Sequence, residues 1–314
     1  MRTLRASGHP AVGLDVVAGP FTDEVGSVAD PLCVARCMGG VDAVLHAATL
    51  HKPHVETHPR EAFVQTNVLG TLMLLEAAAR ARVRAFVMTS TTSAFGDALK
   101  PPPGAPAAWI DETVTPVPKN IYGVTKTAAE DLCQLFHRNE RLATIVLKTS
   151  RFFPEEDDDP EARAAYADDN SKANEYLFRR VAIEDVVDAH LAAAERAPAI
   201  AFGKYIISAT TPFKPEDCAR LSADAPAVVS LRGPGWEHEY ARRGWRMFRH
   251  IDRVYDNARA RRDLGWRPKW DFAAIVERLR ATDDIRGPLA MAIGAKGYHA
   301  ERFEGAPYPV AGSR

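Results

Sequence analysis

Ala85-Phe86-Val87-Met88-Thr89 runs directly into Ser90-Thr91-Thr92-Ser93. The uncharged first part reads as a buried strand, and the hydroxyl run marks its C-terminal end. The same pattern recurs outward from this point. Upstream, Ala11-Val12-Gly13-Leu14-Asp15 is an apolar stretch ending in an acid, and Ala43-Val44-Leu45-His46-Ala47 is another strand. Downstream, Thr144-Ile145-Val146-Leu147-Lys148 and Tyr205-Ile206-Ile207-Ser208 read alike. Helical stretches separate them: the end of an amphipathic helix over Met1–His9, then 63–82 with Leu69, Leu72, Met73 and Leu75, then 123–137, then an alanine-rich helix over 181–197. Alternating strands and helices imply βαβ units and a parallel sheet. Near-continuous apolar strands fit a sheet covered on both faces. The expected fold class is α/β, a doubly wound parallel sheet with a smaller C-terminal substrate lobe. Such sheets bind ligands beyond the C-terminal ends of their strands. Asp15, Ala47-Ala48-Thr49 and Thr89-Ser90-Thr91 all fall there.

Composition narrows the class. The chain has 314 residues, 46% apolar and 26% charged, with a formal net charge of −1. That balance supplies no global field for nucleic acid or an anionic membrane. No apolar run reaches the ~18 residues of a membrane span. Met1-Arg2-Thr3-Leu4-Arg5 is basic but has no apolar stretch behind it, so it does not read as a signal peptide. Cys33, Cys37, Cys133 and Cys218 match no zinc spacing and read as buried thiols of a reducing, cytoplasmic setting.

Tyr122-Gly123-Val124-Thr125-Lys126 carries the sharpest chemical signal. Residues four apart lie on one helix face. A lysine ammonium beside a phenol favours the phenolate, lowering its ordinary pKa of about 10. Such a tyrosine gives or takes a proton at a carbinol or carbonyl. The hydroxyls at Thr89–Ser93 can meet the same reacting oxygen.

In these residues the chain resembles the extended short-chain dehydrogenase/reductase family, the NAD-dependent epimerases and dehydratases. The resemblance runs along nearly the whole chain. The family's Tyr-x-x-x-Lys matches Tyr122 and Lys126. Its strand-end Ser/Thr motif closes at Phe95-Gly96, which puts the catalytic hydroxyl on Thr91. Val44–Ala48 resembles the stretch passing along the cofactor, and Thr66–Thr71 matches a helix segment with its Asn67. Val181–His190, with its aspartates, and Leu264-Gly265-Trp266-Arg267-Pro268 are similar to later family elements.

The resemblance implies a Rossmann-like NAD(P)-binding domain over 1–150 and 181–210, and a substrate lobe over 151–180 and 211–314. It implies NAD-dependent hydride transfer at a carbinol or carbonyl carbon of a sugar-like or other small hydroxylated substrate. Thr91, Tyr122 and Lys126 would be catalytic. Asp15, Ser27, Val28, Ala47, Ala48, Asn67, Thr89, Tyr122 and Lys126 would line the cofactor site. An acid at Asp15 repels a 2′-phosphate, so NAD is expected rather than NADP. Thr92-Ser93 stand where dehydratases of the family carry Asp-Glu, which disfavours dehydration. Between epimerase and dehydrogenase the reading leans to the latter. Homodimerisation through the helices near 63–82 and 123–137 is also implied.

The chain departs from the family at two places. No Gly-x-x-Gly-x-x-Gly segment occurs, and Met1–His9 aligns with the end of the helix that follows that loop. An upstream start is the favoured explanation. The alternative is a shortened, non-catalytic member acting as a binding or regulatory module. Second, Arg151-Phe152-Phe153-Pro154 replaces the family's Arg-aromatic-Phe-Asn, and five acids follow (Glu155–Asp159). These acids are expected to form a solvated loop. His51, His54 and His58 are read as loop residues rather than metal ligands, with His51 or Lys52 lining the substrate pocket. The arginines from Arg242 to Arg249, near Trp245, are assigned to the substrate lobe, one of them to hold a substrate carboxylate or phosphate.

Overall fold

The structure is a computed structural model and describes residues 1–233, 235–295, 297, 299, 303, 308 and 309. The chain divides into two compact units. The first comprises Met1–Gly96, Pro118–Lys148 and His190–Lys204, and the second Asp97–Val117, Thr149–Ala189 and Tyr205–Arg314.

A four-stranded sheet has the order Ala43–His46, Ala85–Thr91, Thr144–Thr149, Phe202–Ile207. Its first pair is parallel, with Ala43 opposite Ala85 and His46 opposite Met88. The middle strands are buried apart from the half-buried Thr89, as their apolar runs Ala85–Met88 and Ile145–Leu147 require. Ala43–His46 is an edge strand of this sheet, and its Leu45 is exposed. Leu14–Asp15, expected in the same sheet, pairs instead with Glu24–Val25 in a separate two-stranded ribbon. The acid-tipped strand is therefore present but hydrogen-bonds outside the main sheet.

The expected helix over 63–82 spans Arg60–Ala81 and contains a π-helical stretch, Val64–Leu69. That stretch rotates Asn67 inward, where it is buried. Gly70 follows because a Cβ there would meet Val28 Cγ2 at 2.6 Å. This helix is long and apolar enough to cross a membrane by length and composition alone. Leu74, Leu75 and Ala78 nevertheless pack into the core of the first unit with Phe86 and Val146. The helix Ile121–Glu140 starts at Asn120, whose side chain accepts from the Gly123 amide. A Cβ on Gly123 would lie 2.9 Å from Pro118 Cβ.

In the second unit Ala108–Ile110 pairs in parallel with Arg253–Tyr255. Residues 97–117 and 149–189 belong to this second compact unit. Asp185 accepts from the Lys269 and Trp270 amides, and Trp266 Nε1 donates to the Asp185 carbonyl. The later aspartate helix and the Leu264–Pro268 turn thus lock together. Burial pushes the Asp185 carboxyl up to about 6. Tyr240 is buried and donates to Asn174, which with Asn170 holds the Arg246 carbonyl.

Candidate active site

The Ile121–Glu140 helix presents Tyr122, Lys126 and Glu130 four residues apart, on one face. All three are buried. The strand Ala85–Thr91 supplies Thr89, Ser90 and Thr91. The Thr91 hydroxyl hydrogen-bonds Tyr122 and also accepts from the Ser93 amide, capping the turn Thr92–Phe95. That amide takes one of the two lone pairs of the hydroxyl, so Thr91 keeps both a proton and a lone pair for the phenol.

Lys126 Nζ donates to the Thr89 carbonyl at 2.7 Å. Burial lowers its pKa to about 8. Burial also pushes the Tyr122 phenol up to about 12, with Thr91 pulling weakly the other way. This corrects the expected lowering of the tyrosine by the lysine. In a desolvated site the bare phenolate is disfavoured, and the one hydrogen bond with Thr91 does not offset that.

Glu130 and Ser90 were not singled out from the sequence as partners. Ser90 Oγ donates to Glu130 Oε1 at 2.5 Å, and Lys148 Nζ reaches the same oxygen at 2.6 Å. Lys204 lies 3.3 Å from Oε2. Burial opposes ionisation of Glu130, yet Lys148 and Lys204 hold its pKa below the usual carboxylate value. Lys148 also sits 4.7 Å over the Phe95 ring. Thr89 Oγ1 meets His190 Nε2 at 2.7 Å. The signal for Glu130 was its place four residues beyond Lys126.

Asn67, expected at the cofactor, uses its whole amide on protein. Its Oδ1 accepts from Thr49 Oγ1 and the Leu50 amide, and its Nδ2 donates to the Leu50 carbonyl and Thr125 Oγ1. It ties the loop after the edge strand to the helix that carries Tyr122. Asp15 is exposed, and its Oδ1 accepts from the Val17 amide. Ser27 Oγ accepts from the Ala29 amide, and the Val28 side chain is buried in the core. Ala47 is exposed and Ala48 half-buried, directly after the strand Ala43–His46.

The histidine loop converges on the tyrosine. The His51 ring lies edge-on to Tyr122, 6.4 Å between centroids, and His51–His54 and His54–His58 follow at 4.8 and 5.0 Å. No metal-binding cluster occurs among the described residues. His46 is different: it is buried, and its Nε2 bonds Thr71 Oγ1 at 2.9 Å. Thr71 already donates to the Asn67 carbonyl, so His46 is the donor. Burial, then the Lys126 charge, lowers its pKa to about 3.

Two expectations about charge are narrowed. Within the acid run Glu156 and Asp159 are exposed in a loop, but Asp157 and Asp158 are largely shielded and paired with arginine. Arg151 binds Asp157 at 2.6 Å and Glu175 at 3.2 Å, and Arg180 binds Glu175 at 2.7 Å. Burial works against Asp157, but the arginines draw it well below the carboxylate range. Of the arginines from Arg242 to Arg249, Arg242 and Arg243 pair with Glu239 and Asp283. All four cysteines are unbridged.

A serine/threonine strand end, a buried tyrosine and a lysine one turn further on form the arrangement that defines a known group. Residues 1–207 match the model of the NAD dependent epimerase/dehydratase family. The chain belongs to that family. Its fold agrees with solved members: UDP-N-acetylglucosamine 4-epimerase from Bacillus cereus superposes with a TM-score of 0.60 at 17% identity, over 89% of this chain and 92% of that one. A short-chain dehydrogenase/reductase superfamily protein from Agrobacterium tumefaciens, solved with bound NAD, gives 0.59 at 23% identity, over 90% and 94%. The α/β class expected from the strand pattern is thus the Rossmann-fold class of this family. In sequence, UDP-glucose 4-epimerase from Rhizobium meliloti is 26% identical over 266 residues, 75% of each chain. A dTDP-glucose 4,6-dehydratase from Streptomyces niveus is 35% identical over 132 residues, 41% of this chain and 37% of that one. The chain spans less than half the length of several curated relatives it matches.

Proposed function

We propose that the protein is an NAD-dependent oxidoreductase that transfers hydride at a carbinol or carbonyl carbon of a sugar-like substrate. The observation that carries this reading is the buried Thr91–Tyr122–Lys126 group, with the Thr91 hydroxyl on the phenol oxygen and Lys126 pinned to the same strand. Its substrate oxygen would sit between Tyr122 and Thr91. When bound, NAD supplies the hydride acceptor. Tyr122 would move the proton at the substrate oxygen, Thr91 would orient that oxygen, and Lys126 has two ammonium protons beyond the one given to Thr89 with which to meet a ribose hydroxyl. Asp15 fits the adenosine ribose: it is exposed, and the Val17 amide occupies Oδ1. The pyrophosphate has no glycine loop in the chain to receive it. Asn67, fully engaged, would support the cofactor site through the loop at Thr49–Leu50 rather than touch the ligand.

Thr92-Ser93 offer no carboxylates beside Thr91, which argues against dehydration. Val64, Val124 and Leu135, exposed on the two helices, fit a homodimer contact there. Calorimetric titration with NAD and with NADP tests the cofactor. Binding of NAD, weakened by Asp15→Ala, is expected, and binding of neither dinucleotide overturns the reading. Incubation with NAD and UDP-glucose, UDP-galactose or glucose 6-phosphate, followed by NADH absorbance and product analysis, tests the chemistry. Tyr122→Phe should abolish any turnover.

A further inference from the structure

Thr89, Ser90 and Thr91 each meet a different residue of one helix face. The Thr91 hydroxyl is on the Tyr122 phenol, the Thr89 carbonyl accepts from Lys126 Nζ, and Ser90 Oγ donates to Glu130 Oε1 at 2.5 Å. Tyr122 and Glu130 stand about 12 Å apart along their helix, whereas Thr89 to Thr91 spans only about 7 Å of strand. The three side chains therefore converge on the tripeptide. Two of the contacts involve groups that the proposed reaction needs for its ligands. Tyr122 and Thr91 would share a substrate oxygen, and Lys126 would meet a ribose hydroxyl. The contact between Ser90 and Glu130 lies outside those groups.

Glu130 is held by more than Ser90. Lys148 Nζ reaches the same Oε1 at 2.6 Å, and Lys204 Nζ lies 3.3 Å from Oε2. The three partners come from Ala85–Thr91, Thr144–Thr149 and Phe202–Ile207, consecutive strands of the four-stranded sheet. The carboxylate is completely buried, and the two ammonium groups keep it ionised there. An ionised acceptor makes stronger hydrogen bonds than a neutral one. Glu130 thus ties the helix face to the sheet independently of what Tyr122 and Lys126 bind.

We infer that Glu130 is a positioning residue of this active site, which through Ser90 holds the Thr89 carbonyl and the Thr91 hydroxyl in register with Lys126 and Tyr122. This role rests on the NAD-dependent reading above. Glu130 takes no part in proton or hydride transfer. It keeps the strand end and the helix from sliding apart when Lys126 and Tyr122 engage their ligands.

Lys126 reports on that register, and the test needs no substrate. Its ammonium is buried, and the titratable groups around it are Tyr122, Glu130 and Cys133 on its own helix, Lys148 on a neighbouring strand and His46 on the edge strand. Burial lowers its midpoint to about 8, while the Thr89 carbonyl favours the charged form. Carbon-13 NMR of lysine labelled at Cε follows the midpoint, the Lys126 signal being the one lost in Lys126→Arg. Ser90→Ala leaves Glu130 its two lysines but cuts the tie to the strand end. Its Lys126 midpoint should fall by about one pH unit, the worth of a hydrogen bond to a charged group. Ser90→Thr, which keeps the hydroxyl, should restore it. Calorimetry should show NAD affinity weakened about ten-fold in Ser90→Ala, the equivalent of one such unit, and recovered in Ser90→Thr. A Lys126 midpoint that stays put in Ser90→Ala, with or without lost stability in urea, makes the contact merely structural and overturns the assignment. A fall that Ser90→Thr does not restore, or a fall with NAD affinity unchanged, overturns it too. If Ser90→Ala does not fold, Ser90→Cys takes its place under the same criteria, and failure of both to fold again makes the contact structural. Failure of the native protein to bind NAD overturns the cofactor reading alone, because the Lys126 midpoint still decides whether Glu130 sets the register.

Discussion

Lys126 Nζ and the carbonyl oxygen of Thr89 lie 2.7 Å apart, which fastens the helix carrying Tyr122 to the strand carrying Thr91. The lysine thus acts first as a strut and leaves the phenol undersupplied with positive charge. Tyr122 should remain protonated well past the ordinary tyrosine value of about 10, toward about 12. The difference in phenolate absorbance between the native protein and Tyr122→Phe, followed through an alkaline titration, measures this. A Tyr122 transition at or below the ordinary value would contradict the account.

Asn67 should matter for stability more than its polar character suggests. Replacing it with Ala takes the acceptor from the Leu50 amide and one of two donors from the Leu50 carbonyl, which keeps Thr49 Oγ1, and a buried group left unpaired costs about 1–3 kcal/mol. Asn67→Ala should therefore lower the unfolding free energy by roughly 2 kcal/mol. Chemical denaturation of the two proteins gives the difference. A loss within about 0.5 kcal/mol would mean that the loop is held by other contacts.

The strand and helix order, and the tyrosine–lysine pair, were legible because they rest on local patterns. An unbroken apolar run closed by hydroxyls marks Ala85–Thr91, and a four-residue spacing brings Tyr122 and Lys126 to one face. What escaped depends on contacts distant in sequence. Nothing local separates Asp157 from a solvated acid, since Glu175, eighteen positions later, shares Arg151 with it. The pairing of Ala108–Ile110 with Arg253–Tyr255 is equally remote. The direction of the Tyr122 shift was misjudged for a related reason: spacing shows proximity of charge but not desolvation, and here desolvation is larger.

His46 ties stability to pH. Its folded pKa is lowered from 6.5 to about 3. Between those values the unfolded chain binds a proton that the folded chain refuses. Its contribution is therefore complete above 6.5 and lost as pH falls toward 3. The slope from this one group is about 1.4 kcal/mol per pH unit at most. His46→Gln keeps an N–H for Thr71 and cannot titrate, so its stability should fall less steeply on acidification. Urea denaturation across that range compares the two slopes. Parallel slopes would show that acid stability is governed elsewhere.

Glu130 and Lys148 form a buried ion pair at 2.6 Å, with side chains almost completely shielded from water. Such a pair is costly to break from one side. Glu130→Gln leaves the Lys148 ammonium without its counter-charge and should cost roughly 3–5 kcal/mol. Lys148→Met should cost less, because Lys204 still faces Glu130 Oε2. The double variant removes both charges together, so it should be more stable than the sum of the single losses requires. Thermal or denaturant unfolding of all four proteins closes the cycle. A coupling near zero would mean that Lys204 and Ser90 satisfy Glu130 without Lys148. A positive coupling would identify the pair as the element that sets the Tyr122–Lys126–Glu130 face against the sheet.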